Sequence, residues 1–400
     1  MNLAADTWCN FVIQINFILG HNMRDYTGQV LSIIAREVGE PPEELQNNPE
    51  LEFADLGIDK LLSRSIITQI HKATGLELPV ELFETCPTAG ALISFLKNKE
   101  LAGPGNEAKP NDILLNQPLS IRIHGRPGAS TKNIFLLPDG SGSAMSYARV
   151  PPLGPGVCLY GLNSPLLLEP DKFPRIEEVS PMWVSEIRRL QPKGPYILGG
   201  WSAGGYYGFE VAKYMMRNEK EADGQPVVIE KLILIDSPCR LLFEALPMIV
   251  VTTLADQGLM GNMKDREAPK WMLDHFNATI ARIEEYMPSP LILESASQVL
   301  PQIFIIWATD SIYSPGEASA MGLDTSVKVT QFMLEGRTDF GPNGWDQLFP
   351  KGTLLAVTTT PGTHFTLMTP PFSISIASRL KDIVLGNTKQ DKRLWNHRMC

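Results

Sequence analysis

Residues Pro195–Gly205 read P-Y-I-L-G-G-W-S-A-G-G: a short apolar strand runs into Gly-x-Ser-x-Gly, which opens a helix over Tyr206–Met216. A serine at such a junction sits on a sharp, strained turn with its hydroxyl presented at the end of a sheet, and Gly200 and Gly204 leave room for neighbouring backbone. The bare pentapeptide arises by chance in roughly one chain in five to ten of this length. The strand before it and the helix after it are what single out Ser202 as the candidate nucleophile.

Two folded units are expected in a chain of 400 residues with 44% hydrophobic and 20% charged side chains, a balance able to bury a sizeable core. Residues 1–26 form a leader with no assigned role. Over 27–98 the pattern is helical. Val30, Ile33, Ile34 and Val38 recur at helical spacing and stop at Gly39, and Ile58, Leu62, Ile66 and Ile70 mark a second amphipathic helix. A short turn at Leu82–Phe83 and a last helix over Thr88–Leu96 complete a small all-α, four-helix bundle, too slight for an active site of its own and suited to a carrier or docking role. Residues 99–118, with G-P-G, K-P-N-D and no periodicity, read as a flexible linker.

From 119 to 388 short apolar strands alternate with helices: Leu119–His124, Asn133–Leu137, Gly156–Leu162, Tyr196–Gly199, Lys231–Ile235, Ile303–Trp307 and Thr353–Val357 are the strands. That alternation predicts a mostly parallel sheet covered by helices on both faces, with ligands bound beyond the carboxyl ends of the strands. Together with the serine turn it predicts the α/β-hydrolase fold. Residues 240–301 carry helical spacing at Trp271, Leu273, Phe276, Ile280 and Ile283 and are expected to form a helical lid over the nucleophile. Residues 389–400 are left as a tail.

The formal charge is −9, and the 35 Lys and Arg are dispersed, so no phosphate-binding surface is marked and nucleic acid is not an expected partner. Five cysteines, Cys9, Cys86, Cys158, Cys239 and Cys400, are odd in number and lack C-x-x-C spacing. They predict neither a disulfide framework nor a metal site, and they suit a reducing compartment. The leader contains Asn10, Gln14 and Asn16 and follows Asp6, which is unlike a secretion signal, and no run reaches the apolar length of a bilayer span. A cytoplasmic protein with no membrane partner is the expectation.

A serine hydroxyl is a poor nucleophile at neutral pH; an imidazole must take its proton, and a carboxylate must hold that imidazole in the right tautomer. His364 lies in P-G-T-H-F-T-L-M directly after the last strand, where the order Ser, acid, His places its base. His21, His71, His124, His275 and His397 read as structural or solvated. Two acids compete: Asp236 ends L-I-L-I-D, Asp310 ends I-I-W-A-T-D, and chain order does not separate them. The oxyanion of a tetrahedral intermediate needs two N–H donors. Ala203, at the start of the helix, is one candidate; Gly140 or Ser141, in the glycine-rich loop Pro138–Ser143, is the other.

Several longer motifs carry a resemblance. F-L-L-P-D-G-S-G-S-A-M-S-Y from Phe135, G-W-S-A-G-G from Gly200, L-I-D-S-P from Leu234, A-P-K-W-M-L from Ala268 and R-T-D-F-G-P-N-G-W-D from Arg337 make the second unit similar to the terminal thioesterase of fungal non-reducing iterative polyketide synthases. The resemblance implies release of an aromatic polyketide through an acyl-serine, by Claisen-type cyclisation or hydrolysis, with Asp236 as the acid and His364 as the base. The first unit resembles the acyl carrier domain preceding that thioesterase, through F-A-D-L-G-I-D-K-L-L-S and L-F-E-T-C-P-T. Such carriers hold phosphopantetheine on the serine after the Asp of a D-S-L motif, and here Lys60 follows Asp59 instead. A lysine cannot form the phosphodiester, and Ser63 and Ser65 are out of register. The unit therefore reads as a pseudo-carrier that needs no cofactor, and the expected partner is a polyketide thioester on another carrier domain or synthase. The alternative is a non-catalytic remnant or docking fragment, motivated by the lost carrier serine.

Overall fold

The computed structural model describes residues 26–58, 60–76, 78–79, 82–102, 118–127, 130–259, 269–389 and 394–400. Leader residues 1–25 (with Cys9 and His21), Asp59 and residues 103–117 of the expected linker lie outside the described residues. The chain divides into two compact units, Met1–Leu115 and Asn116–Cys400.

In the first unit the described helices are α1 (Tyr26–Val38), α2 (Pro42–Asn47), α3 (Lys60–Thr74), α4 (Leu82–Thr85) and α5 (Ala89–Ala102). Residues four apart share a helix face, and so Val30 and Ile34 of α1, Ile66 and Ile70 of α3, and Leu92 and Leu96 of α5 meet in one fully buried cluster. Each such side chain stabilises the bundle by about 1.5–3 kcal/mol on burial. The short α2 has no apolar repeat to announce it; Leu45 is its one buried residue. Helix α5 runs on to Ala102, four residues into the stretch expected to be linker.

The second unit is built on an eight-stranded sheet in the order β1-β3-β2-β4-β5-β6-β7-β8. Its strands are β1 (Ser120–His124), β2 (Lys132–Leu137), β3 (Val157–Leu162), β4 (Tyr196–Trp201), β5 (Ile229–Ile235), β6 (Gln302–Ala308), β7 (Leu354–Thr360) and β8 (Asn396–Met399). The six interior strands are parallel, and each edge strand is antiparallel to its neighbour. Side chains of a strand alternate between faces, and both faces here are covered. Leu232 and Leu234 join the core beneath α6 (Ile176–Leu190) and α7 (Ala203–Asn218), while Ile233 and Ile235 join the core beneath α12 (Phe372–Leu385). This is the α/β architecture that the strand–helix alternation predicts.

Two departures matter for the site. Within the stretch 389–400, Asn396–Val357 and Met399–Leu354 pairing adds β8 to the sheet, and Trp395 packs edge-on against Phe304. An edge strand of sequence N-H-R-M, with its side chains mostly in solvent, shows no apolar alternation, so nothing in the pattern reveals it. The insertion 240–301 supplies α8 (Met248–Asp256) and α9 (Lys270–Glu285), as its spacing predicts, but it does not stand alone. A second insertion between β6 and β7 adds α10 (Glu317–Ala320) and α11 (Lys328–Leu334), and Val250, Leu254, Val329, Met333 and Phe365 fuse the two into one apolar cluster. Among the described residues no helix is long and apolar enough to cross a membrane.

Candidate active site

Strand β4 delivers Ser202 at its carboxyl end, and helix α7 begins at the next residue. Ser202 has φ 57° and ψ −122°, a conformation that a residue with a side chain adopts only when its surroundings impose it. The surroundings are tight. A Cβ on Gly200 would lie 2.3 Å from the Gly204 backbone, and one on Gly204 would lie 2.5 Å from the Leu137 carbonyl, so any other residue at either position would push β2, β4 and α7 apart. Tyr147 stitches the same junction: its hydroxyl donates to the Leu137 carbonyl at 2.5 Å and accepts the Trp201 amide at 3.0 Å.

His364 follows β7 and stands beside the serine, its Nε2 3.1 Å from Ser202 Oγ. Its Nδ1 lies 2.8 Å from Asp236 Oδ2. An ionised carboxylate only accepts hydrogen bonds, so Nδ1 carries the hydrogen and Nε2 turns its lone pair to the serine. Ser202, Asp236 and His364 are thus brought together from the ends of β4, β5 and β7, with Trp201 tilted over the imidazole at 5.5 Å between ring centroids.

Asp236 is fully buried and fully bonded. Oδ1 accepts from Arg337 Nη1 and, at 2.8 Å, from the Ala308 amide; Oδ2 accepts from Arg337 Nη2 at 2.9 Å as well as from His364. Burial by itself would raise this carboxyl, but the Arg337 guanidinium and the bonds from Arg337 and His364 outweigh it and hold Asp236 well below the ordinary carboxylate range. Arg337 is itself buried, donates to the Phe332 carbonyl at 2.6 Å, and lies 3.8 Å over the Phe332 ring. Sequence reasoning noted the R-T-D-F-G segment as a motif but assigned Arg337 no role. The pairing spans 101 residues, and no local signal marks it.

The competing acid has a different duty. Asp310 is exposed, and its Oδ2 accepts the Gly362 amide at 2.9 Å while its own amide donates to the Gly362 carbonyl at 3.0 Å, bracing the loop that carries His364. The loop after β2 is held from within. Asp139 Oδ1 accepts the Ser141 hydroxyl at 2.6 Å and the Ser146 hydroxyl at 2.8 Å. Burial raises the Asp139 carboxyl above its ordinary range, those bonds opposing it. The Gly142 amide donates to the Asp139 carbonyl at 3.0 Å. Among the described residues no acceptor bonds the amides of Gly140 or Ala203.

The other described histidines have bonds of their own. His71 and His397 bond the carbonyls of Leu76 and Thr388, and His124 bonds that of Val150. His275 is buried in α9, where burial pushes its imidazole down to about 4. Among the described residues no group of three or more His, Cys, Asp or Glu side chains is placed to hold a metal ion.

A family model described as a phosphopantetheine attachment site matches residues 28–96, and one described as a thioesterase domain matches residues 132–383. The chain belongs to the thioesterase domain family. Over 383 residues it is 33% identical to the non-reducing polyketide synthase Preu8 of Preussia isomera, a match covering 88% of this chain and 17% of that synthase. It is 36% identical over 366 residues to the conidial yellow pigment biosynthesis polyketide synthase melA of Penicillium expansum, covering 86% of this chain and 17% of the relative. The thioesterase chain thus spans about a sixth of the length of these curated relatives. Among solved structures, the four-domain nonribosomal peptide synthetase holo-AB3403 bound to AMP and glycine matches 90% of this chain and 25% of its own, with a TM-score of 0.50 and 20% identity, a likeness of fold. The resemblance carried by the motifs at Phe135, Gly200 and Leu234 is borne out: the chain is similar to the carrier and thioesterase end of fungal non-reducing polyketide synthases.

Proposed function

We propose that this thioesterase releases a polyketide from a carrier-bound thioester through an acyl-serine on Ser202. The observation that carries the reading is the chain of contacts from Ser202 Oγ to His364 Nε2 at 3.1 Å and from His364 Nδ1 to Asp236 Oδ2 at 2.8 Å. Ser202 Oγ attacks the thioester carbonyl as its proton passes to His364 Nε2. The carbonyl oxygen becomes an oxyanion, and the free amides of Ala203 and Gly140 are its donors, Ala203 with the added field of the α7 N-terminus. The Ser141 amide, on the same loop, is the alternative to Gly140 as the second donor. When the C–S bond breaks, the His364 proton leaves with the thiol.

The acyl-serine then has two exits. His364 takes a proton from water, which attacks to give an acid, or from an activated methylene of the chain itself, whose carbanion attacks to close a ring by Claisen chemistry. Either way the Ser202 oxygen leaves with that proton.

The helical unit does not fit phosphopantetheine. Lys60 opens α3 at the position where a serine would carry the arm, and a lysine has no hydroxyl to phosphorylate. Ser63 is buried in the bundle, and the exposed Ser65 lies more than a turn further along the helix. The acyl group therefore arrives on another carrier or synthase. A cytoplasmic setting suits the free thiols Cys86, Cys158, Cys239 and Cys400.

The test is turnover of an aryl N-acetylcysteamine thioester. The parent chain is expected to release thiol, and Ser202→Ala to lose that activity; no turnover by a folded parent chain would leave the non-catalytic alternative. In parallel, incubation with a phosphopantetheinyl transferase and coenzyme A is expected to leave the mass of the chain unchanged.

A further inference from the structure

One hydroxyl closes the neck of the loop that follows β2. The chain leaves the sheet after Leu137, passes through Gly140 and Ser141, and ends the loop in a single 3₁₀ turn, Ala144–Tyr147. The Tyr147 side chain is fully buried and returns to the point where the loop began: its hydroxyl donates to the Leu137 carbonyl at 2.5 Å. An amide only donates, so the same oxygen accepts the Trp201 N–H, at 3.0 Å. Burial pushes the Tyr147 phenol far above its ordinary range, and the O–H keeps its hydrogen.

The bridge stands where two strands part. Leu137 and Gly200 are the last paired residues of β2 and β4. Pro138 has no N–H with which to extend the ladder, and the Ser202 amide turns the other way, to the Ile235 carbonyl of β5. Beyond this rung one chain enters the loop that offers the second oxyanion donor, and the other enters the turn at Ser202. The Tyr147 hydroxyl holds both. Among the described residues no other hydrogen bond joins residues 138–147 to β4 or α7. The other bonds of the loop run within it, through Asp139, or outward to Asn163 and Ser164 after β3 and to His275 of α9. We propose that Tyr147 is a positioning residue for acyl transfer: its hydroxyl fixes the oxyanion loop, as one body, against the residue that precedes the nucleophile. This rests on the acyl-serine reading, and it holds whether Gly140 or Ser141 supplies the second donor, because the neck carries both. A displacement of about 1 Å between a nucleophile and the groups that serve it costs on the order of a hundredfold in rate.

Tyr147→Phe keeps the ring and removes only the bridge. The experiment measures kcat per active site on the full chain with an aryl N-acetylcysteamine thioester, the sites being counted by titration with a fluorophosphonate run to completion. The variant is expected to lose at least about tenfold in kcat per site, and up to the roughly hundredfold that follows loss of one oxyanion donor, with KM within about threefold of the parent. A tyrosine that serves only the fold would lower the number of titrated sites and leave kcat per site unchanged. That result, or any loss in kcat per site below about tenfold, overturns the proposal. If few sites fold, parent and variant are compared in sucrose, which favours the compact state, and the same criterion decides. An active Ser202→Ala chain would instead overturn the acyl-serine reading beneath it.

Discussion

Replacing Arg337 by methionine removes the cation and keeps much of the volume. It leaves the Asp236 carboxylate, fully buried, with the Ala308 amide and His364 as its remaining donors. Breaking a buried ion pair from one side destabilises a protein by about 3–5 kcal/mol, since the remaining charge stays out of water. The carbonyls of Phe332 and Ala308 also lose a donor, which places the expected value toward the upper end of that range. For a unit of this size the thermal midpoint should fall by roughly 6–20 °C. Tryptophan fluorescence in a urea titration reads it, because six of the seven tryptophans lie in the second unit. The dependence on pH has a definite sign. The folded Asp236 carboxyl lies below its ordinary 3.8, so it contributes stability above that value and loses it as pH falls further. Arg337→Met should flatten that acid dependence. In an Asp236→Asn background the same change should cost about 2 kcal/mol less, because no buried carboxylate is then left unpaired. A stability change below about 0.5 kcal/mol in the parent background would refute the account of Arg337 as the counter-ion of the triad acid.

Other substitutions separate the residues by role. Asp236→Asn should lower kcat by about 10⁴-fold, by allowing the wrong imidazole tautomer. Asp310→Asn, which keeps an acceptor for the Gly362 amide, should leave it within about threefold; the two kcat values measured side by side check the assignment of the acid. Burial holds His275 near 4, against an ordinary 6.5, so an unfolded chain binds a proton there that the folded one refuses. Acidification from pH 6.5 to 4 should therefore destabilise the parent by up to about 3 kcal/mol, and urea titrations across that window should show a shallower slope for His275→Asn.

How far the sequence foretells the molecule differs from place to place for physical reasons. The turn at Ser202 is legible because a strained backbone demands glycine on both sides, and the parallel strands are legible because both their faces are apolar. His364 is legible as the candidate base because it directly follows the last interior strand, where the order Ser, acid, His places one. Asp236 and Asp310 look alike in sequence, each following a strand; burial and the contact with His364 distinguish them, and both exist only in the folded chain. Arg337 reaches the acid across 101 residues from the second insertion, whose short helices α10 and α11 give too few turns for a periodic pattern. His275 reads from sequence as an ordinary helical histidine. Its contact with Gly140 spans 135 residues.

The central claim is that Ser202 becomes acylated because His364 draws off its proton. Peptide mapping after a fluorophosphonate label tests it most directly. The account predicts one label per chain, on the peptide containing Ser202, and a labelling rate reduced by several orders of magnitude in His364→Ala. Label on another residue, or an unchanged rate in that variant, would contradict it.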